Sequence, residues 1–271
     1  MWVQTRYGTL YVEMTDSDEA PLLMLHGLGS AGTTFHEVVP LLGSSRRAII
    51  PDLLGFGHSP HSSTFSYTLL DQARVLVDMM DRLNLERVSV IGHSMGGNVA
   101  LALAQVAPQR VDQVIVAEAN IVATRGRHRH SISARADQIT ESEYVHNFQQ
   151  LFSDLRPSDD DTISARHYWY TLQHASPVAM YRASQALLDL KEFNVWAAYV
   201  GRVTGTLVGE YNLATLQVQK AIASLVPIRI ISHAGHDMFI DNPSECQQAI
   251  EALLHESYPD DPCQSETPSQ Q

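Results

Sequence analysis

The segment Gly92–Gly96 (GHSMG) places a serine between glycines two positions away on either side. A serine at a sharp strand-to-helix turn is held in a strained backbone conformation, so its neighbours two positions away must lack side chains. The apolar run Val88–Ile91 predicts the strand, and the run that continues to Ala107 predicts the helix. Ser94 is therefore a candidate nucleophile, and the backbone N–H of Met95 is a candidate donor to a developing oxyanion.

A serine hydroxyl becomes a good nucleophile only when a base takes its proton. His236 follows the last predicted strand and precedes a helix that starts at Pro243, which is where the base of a Ser–acid–His chain order is expected. His233 is the rival, but it lies at the exit of the strand. The segment His26–Ser30 (HGLGS) follows another predicted strand, so the N–H of Leu28 is a second oxyanion donor.

Short β-type runs alternate with helical ones, which is typical of an α/β fold with a mostly parallel sheet covered on both faces. The first two runs, at 2–7 and 9–14, predict an antiparallel hairpin at one edge. Further strands are predicted at 22–25, 48–50, 88–91, 114–117, 206–208 and 228–231. Helices are predicted at 67–83, 94–107, 214–225 and 243–255.

Residues 120–200 interrupt this alternation, because they contain no strand-like run. We interpret them as a helical cap inserted into a core formed by residues 1–119 and 201–256, followed by a disordered tail at 257–271. The cap helices are predicted at 141–152, 160–174 and 177–190. The cap is rich in aromatic residues, a minority of which are expected to line an apolar pocket. The predicted substrate contacts are His26, Gly27, Phe148 and Trp169, although His26 is expected mainly to hold its loop.

Composition excludes several other functions. A net charge of −12 argues against a nucleic-acid partner, which requires clustered Lys and Arg. Cys246 and Cys263 are too few for a disulfide framework, and no run approaches the ~18 apolar residues of a membrane span. His128 and His130 lack a ligand cluster at zinc spacing, so no metal site is predicted. We expect a cytoplasmic protein that acts on a small molecule without a cofactor, and its oligomeric state stays open.

Four segments together resemble the α/β-hydrolase family: His26–Gly27, Pro51–Ser59 (PDLLGFGHS), Gly92–Gly97 and Ala234–His236. The resemblance spans about residues 8–255 and is weakest in the cap. It implies an α/β-hydrolase fold and hydrolysis through a covalent serine intermediate. The family includes esterases, lipases, carbon–carbon bond hydrolases, lactonases, dehalogenases and a few signal receptors, so it does not fix the substrate.

The third catalytic residue departs from the commonest family pattern, in which an Asp ends a Gly-x-x-Asp turn. Here the turn is Gly209–Asn212 (GEYN), and the amide of Asn212 carries no charge to stabilise an imidazolium. Glu118 stands at the end of the strand 114–117. This position resembles that of the acid in a family branch that places it one strand earlier. Glu210 is the alternative acid, and the non-catalytic alternative for Glu118 is an ion pair with Arg125.

These residues favour an esterase that acts on a small or medium apolar substrate through Ser94, His236 and Glu118. Hydrolysis of a lactone or a carbon–carbon bond would use the same three residues. A ligand-sensing receptor with weak or no turnover is the alternative from another class, because Asn212 replaces the usual Asp.

Overall fold

The computed structural model describes residues 1–119, 131–190, 203–212 and 226–255, and the structural statements below concern these ranges. Within them the sheet has eight strands in the order β1-β2-β4-β3-β5-β6-β7-β8. The strands are β1 Trp2–Thr5, β2 Gly8–Met14, β3 Pro21–Leu25, β4 Arg47–Pro51, β5 Val88–His93, β6 Val111–Ala117, β7 Val203–Gly209 and β8 Ile228–Ile231. The pairs β1–β2 and β2–β4 are antiparallel, and all other neighbours are parallel.

The predicted α/β fold with an antiparallel edge hairpin is confirmed. Strands β3 and β5 are buried along nearly their whole length, which matches the apolar runs expected of parallel strands covered on both faces. They pair in parallel, with Leu25 opposite Gly92. Because parallel strands end at the same edge of a sheet, this register brings the loop after β3 beside the turn after β5.

Helices cover both faces of the sheet. They are α1 Val39–Leu42, α2 Leu69–Arg82, α3 Met95–Val106, α4 Glu141–His146, α5 Phe148–Leu151, α6 Ile163–Leu172, α7 Pro177–Asp189, α8 Met238–Asp241 and α9 Pro243–His255. α2 and α3 belong to one apolar cluster with Leu23 and Val90, whereas α9 belongs to a second cluster with Met24 and Ile91. Alternate residues of the central strands thus face opposite layers. None of the helices in the described ranges has the length and apolar character of a membrane span.

The helices α4 to α7 lie between β6 and β7 in the chain, where the cap is predicted. The single helix predicted at 141–152 is two helices, because Asn147 leaves the helical conformation and its side chain donates to the Glu143 carbonyl oxygen at 2.9 Å. α6 begins only after the N-cap Thr162, and α7 begins at Pro177 as predicted. The predicted helix at 214–225 and the tail at 257–271 lie outside the described residues.

Candidate active site

Ser94 forms the turn between β5 and α3. Its backbone has φ 53° and ψ −120°, a conformation that L-residues rarely adopt. The turn requires small neighbours, because a Cβ on Gly92 would lie 2.3 Å from the Gly96 carbonyl oxygen and one on Gly96 would lie 2.2 Å from the Leu25 carbonyl oxygen. This geometry is the strained strand-to-helix turn that the GHSMG segment predicts.

A cavity of ≈ 380 Å³ opens at Ser94. This volume is within the range of about 300–1,000 Å³ that is usual for small-molecule sites. From the core that contains the sheet, the cavity is lined by Leu28, Ser94, His236 and Asp237. From the cap side, it is lined by Ser131, Ile132, Ser133, Leu155, Tyr168 and Leu187. The candidate nucleophile and the candidate base therefore face one small-molecule cavity.

Glu118 lies behind His236. The distance from its Oε2 to His236 Nδ1 is 3.8 Å, slightly longer than a hydrogen bond, and its side chain is buried whereas the imidazole is half-exposed. Its Oε1 accepts the Gly209 N–H at 2.9 Å. Glu118 also has a left-handed backbone, φ 51°, which is uncommon for a non-glycine residue. Strained residues of this kind cluster at functional sites.

The surroundings of His236 favour its protonated form. Partial removal from water lowers the pKa of the imidazole, but the interaction with the Glu118 carboxylate and the negative charge of Asp237 outweigh this effect. The pKa of His236 therefore lies above its usual value. Stabilisation of the imidazolium is what a serine hydrolase needs from the acid behind its base.

Glu210, the alternative acid, lies against the rival histidine. Its Oε2 accepts the His233 N–H at 2.7 Å and lies 4.0 Å from His233 Nδ1. Both side chains are exposed, and His233 is not part of the Ser94 cavity wall. The structure thus brings Glu118 to His236 and Glu210 to His233.

His93 holds the loop of His236 from the sheet side, a contact that the sequence motif did not reveal. Its Nε2–H donates to the His236 carbonyl oxygen at 2.7 Å, and the two rings lie 4.8 Å apart between centroids. Burial and the neighbouring His236 lower the pKa of His93 to about 3, so the ring stays neutral and keeps this proton. The motif leaves the residue before the serine open, so no sequence signal identifies this role, which follows from the burial of His93 and its contact with the His236 carbonyl oxygen.

The loop after β3 is fixed by His26. The Leu53 N–H donates to His26 Nε2 at 2.9 Å, which leaves the proton on Nδ1 to donate to the Gly27 carbonyl oxygen at 2.9 Å. Burial lowers the pKa of His26, which keeps the ring neutral. His26 is fully buried, so the predicted substrate contact is wrong for this side chain and its role is to hold the loop.

The two residues expected to supply the backbone donors, Leu28 and Met95, are both close to the nucleophile in the fold or in the chain. Leu28 lines the cavity, and Met95 is the first residue of α3, so its N–H has no acceptor within the helix. A Cβ on Gly27 would lie 3.2 Å from Ser94 Cβ, so glycine here keeps the space beside the nucleophile open.

The cap aromatics are placed differently from the prediction. Phe148 is 6% exposed and packs against Tyr144 and Phe152, and it lines a separate, much smaller gap together with Trp169. Neither residue lines the Ser94 cavity, so both expected substrate contacts are corrected. Among the described cap residues, the aromatic at the cavity is Tyr168, whose hydroxyl donates to the Leu28 carbonyl oxygen at 3.1 Å.

Sequence periodicity could not separate these neighbours, because Tyr168 and Trp169 are adjacent on one helix. The fold of the cap decides which of them lines the Ser94 cavity. Arg125, the proposed ion-pair partner of Glu118, lies outside the described residues, as do His128 and His130.

Comparison with known proteins agrees with this architecture. A family model for the α/β-hydrolase fold matches residues 20–243. A pimeloyl-[acyl-carrier protein] methyl ester esterase from Aeromonas hydrophila is 27% identical over 250 residues, which cover 86% of this chain and 94% of that protein. A 2-hydroxymuconate semialdehyde hydrolase from Pseudomonas sp. (strain CF600) is 38% identical over 99 residues, which cover 35% of each chain.

Several curated relatives match this chain over only about a third of their own length, between 28% and 37%. Among solved structures, a thermophilic esterase from Thermogutta terrifontis superposes with a TM-score of 0.77 at 20% identity, covering 94% of this chain and 97% of the other. That structural likeness concerns the fold. The fold, the turn at Ser94 and the family model agree, and the chain belongs to the α/β-hydrolase fold family.

Proposed function

We propose that this chain is a serine hydrolase that cleaves the carboxylic ester bond of a small to medium apolar substrate through an acyl-enzyme. The observation that carries the proposal is the strained turn that presents Ser94 to the same cavity as His236. The 3.8 Å approach of Glu118 to His236 Nδ1 supports it. Catalytic hydrogen bonds are often long in structures without substrate and shorten when it binds.

In the acylation step, Ser94 Oγ attacks the carbonyl carbon of the ester and its proton passes to His236 Nε2, the ring nitrogen that does not face Glu118. The carbonyl oxygen becomes an oxyanion, which the N–H groups of Leu28 and Met95 stabilise. Each such donor is worth about 2.7–4 kcal/mol in a comparable site. His236 then gives its proton to the leaving alcohol, and the acyl group remains on Ser94.

In the deacylation step, water attacks the acyl-enzyme while His236 Nε2 accepts its proton. The tetrahedral intermediate collapses, His236 returns the proton to Ser94 Oγ, and the carboxylic acid leaves. Glu118 stays ionised and stabilises the imidazolium that forms in both steps. No cofactor enters this mechanism.

The cap side of the cavity supports an apolar acyl group. Ile132, Leu155 and Leu187 line it, and burial of each methylene of a matching chain is worth about 0.8 kcal/mol. The volume of ≈ 380 Å³ limits the ester to a small or medium size. A p-nitrophenyl ester series from acetate to dodecanoate should therefore show a maximum of kcat/KM at an intermediate chain length.

The test is hydrolysis of these esters by the wild type and by Ser94→Ala, Glu118→Ala and Glu210→Ala, each checked for folding by circular dichroism. We expect a burst of p-nitrophenol in the wild type and none in Ser94→Ala. The Glu118→Ala variant should lose orders of magnitude in kcat, while Glu210→Ala, whose carboxylate pairs with His233, should retain most activity.

Equal losses in Glu118→Ala and Glu210→Ala would remove Glu118 from the mechanism. Activity that survives Ser94→Ala would remove the acyl-enzyme. If the folded wild type hydrolyses none of the esters but binds small apolar ligands, the ligand-sensing receptor replaces the esterase.

A further inference from the structure

Asp237 is an acidic residue in the cavity wall that takes no step in the proposed mechanism, although its charge helps to raise the pKa of His236. It lies next to His236 and lines the cavity together with Ser94. The other carboxylates nearby have structural tasks: Asp241 Oδ2 accepts the Gly235 N–H at 2.9 Å, and Glu118 Oε1 accepts the Gly209 N–H. In the described residues, the carboxylate of Asp237 has no hydrogen-bond or ion-pair partner.

A carboxylate without a partner is costly in a site that is partly removed from water. Burial and the negative charges of Asp241 and Glu118 raise the pKa of Asp237, and only His236 acts in the opposite direction. No Lys or Arg belongs to the described part of the cavity wall. A cation supplied by the ligand would stabilise this carboxylate.

The position of Asp237 indicates which part of the ester it faces. His236 delivers its proton to the leaving oxygen, and Asp237 directly follows it in the chain and lines the same cavity, so the alcohol is the part of the ester held nearest to this pair. The apolar residues Ile132, Leu155 and Leu187 come from the cap and suit an acyl chain. The described cavity wall thus combines a carboxylate from the core with several apolar side chains from the cap.

From this arrangement we infer that Asp237 is a specificity-determining residue that binds an ammonium group on the alcohol part of the substrate. The substrate class is then an ester of an amino alcohol with an apolar acid. An ester with a carboxylate at the same place is disfavoured, because it meets Asp237 and Glu118 without a compensating cation. The inference rests on the proposed function for the orientation of the ester, whereas the binding preference can be tested without turnover.

The binding test uses Ser94→Ala protein, so that it does not depend on catalysis. Calorimetric titrations at pH 7 in about 1 M NaCl, which screens the net charge of the chain, compare hexylammonium, 1-hexanol and hexanoate. The three compounds share one apolar chain and differ in charge. We expect hexylammonium to bind at least about tenfold more tightly than 1-hexanol, since a charge-assisted contact is roughly twice as strong as a neutral one. Hexanoate should bind most weakly.

The same titrations on Ser94→Ala/Asp237→Asn should abolish the preference for hexylammonium, because Asn keeps the size of Asp but not its charge. Ser94→Ala/Asp160→Asn is the matched control, since Asp160 is exposed in the cap and is not part of the cavity wall, yet the change in net charge is identical. A preference that persists in the Asp237→Asn protein, or disappears equally in the control, overturns the inference.

Kinetics then separate this inference from the proposed function. Two substrates, the ammonium ester 4-aminobutyl hexanoate and the neutral pentyl hexanoate, are compared by their kcat/KM values in the wild type and Asp237→Asn. The released hexanoate is measured by chromatography at pH 7 in about 1 M NaCl, where the net charge of the chain is screened. Hydrolysis of pentyl hexanoate that depends on Ser94 supports the esterase alone. The ratio of kcat/KM for the ammonium ester to kcat/KM for the neutral ester should be above about ten in the wild type. A fall of this ratio to about one in Asp237→Asn supports the inference. An unchanged ratio refutes the inference and leaves the esterase intact, whereas binding selectivity without hydrolysis of either ester refutes the esterase alone.

Discussion

His236 must be neutral before it can accept a proton from Ser94, so the pKa of its ring sets the acid limb of the proposed activity. The Glu118 carboxylate helps to raise that pKa, and it does so from a buried position. The same carboxylate accepts the Gly209 N–H. Glutamine at 118 keeps an oxygen for this hydrogen bond while it removes the charge, so charge and structure can be separated at one residue.

We predict that Glu118→Gln moves the acid limb of kcat/KM to lower pH, because loss of the negative charge lowers the pKa of His236. The maximal rate should fall by about 10²–10⁴, as expected when the carboxylate behind a catalytic histidine becomes an amide. The measurement is a pH–rate profile with a short p-nitrophenyl ester, with Glu210→Gln as the control. An acid limb at the wild-type position in Glu118→Gln contradicts the assignment.

Single residues also show what the sequence could predict. Ser94 and His236 follow from motifs, because the backbone of a strained turn and the chemistry of a base each restrict the residue type. Asp237 and Tyr168 could not be chosen in advance. Nothing in the local sequence marks Asp237 as a cavity residue, and nothing distinguishes Tyr168 from its neighbour Trp169. Tyr168 reaches the cavity wall through the packing of the cap on the core, and Asp237 reaches it through the loop that also carries His236.

At the scale of elements, the end of β7 positions the loop that carries His236. Gly209 ends this strand, and a Cβ there would lie 2.2 Å from the Gly235 carbonyl oxygen and 2.7 Å from that of Ala234. The obstacle is backbone, which cannot rotate away as a side chain can. The Gly209 N–H also holds Glu118. The end of β7, the carboxylate of Glu118 and the loop that carries His236 are therefore in contact with one another.

We predict that Gly209→Ala lowers kcat by at least about 10², since a displacement of about 1 Å of a catalytic group can have this effect. Gly235→Ala is the control, because a Cβ there would meet no heavy atom closer than Asp241 Oδ2 at 3.7 Å. The measurements are steady-state kinetics and thermal melting of both variants. Full activity in a folded Gly209→Ala protein contradicts this account.

The order of the elements was predictable, but their ends and packing were less so. Buried parallel strands such as β3 and β5 are marked by apolar runs, and Pro177 fixes the start of α7 through its preset φ angle. The break between α4 and α5 was missed, because it depends on a side-chain hydrogen bond of Asn147. Hydrophobic periodicity carries no information about such local competition for backbone partners.

Arg182 of α7 joins two cap helices to the core. Its Nε and Nη2 donate to the Glu141 carboxylate of α4, each at 2.8 Å, and its Nη1 donates to the carbonyl oxygens of Ser63 and Phe65 at 2.8 and 2.6 Å. Because α7 also supplies Leu187 to the cavity wall, this contact helps to position one of the apolar side chains of the site.

We predict that Arg182→Ala destabilises the protein by about 2 kcal/mol, since hydrogen bonds of charged donors are worth about 1.5–3 kcal/mol and this residue is partly exposed. Thermal melting should show a Tm about 4–8 °C lower. The KM for a hexanoate ester should rise as well. Arg74→Ala removes an exposed ion pair with Asp71 on α2 and should change the Tm by less than about 2 °C. Equal effects of the two variants would contradict a special role for Arg182.

At the scale of the whole molecule, the charge of the chain acts in the same direction as Asp237. Thirty acidic and eighteen basic residues give a net charge of −12, which attracts cations to the surface and repels anions. This long-range attraction is screened by salt, since the Debye length falls from about 30 Å at 0.01 M to about 3 Å at 1 M. The contact with Asp237 inside the cavity is screened much less.

The two effects predict different responses to ionic strength. Between about 0.01 and 1 M NaCl, the kcat/KM value of the ammonium ester, 4-aminobutyl hexanoate, should fall by roughly threefold to tenfold, while that of pentyl hexanoate stays nearly constant. In Asp237→Asn, the preference for the ammonium ester should be lost at high salt, where the long-range field is screened, but a weak preference should remain at low salt. A preference in the wild type that vanishes completely at 1 M NaCl would assign the selectivity to net charge, because a contact with a carboxylate inside the cavity is screened much less than the long-range field.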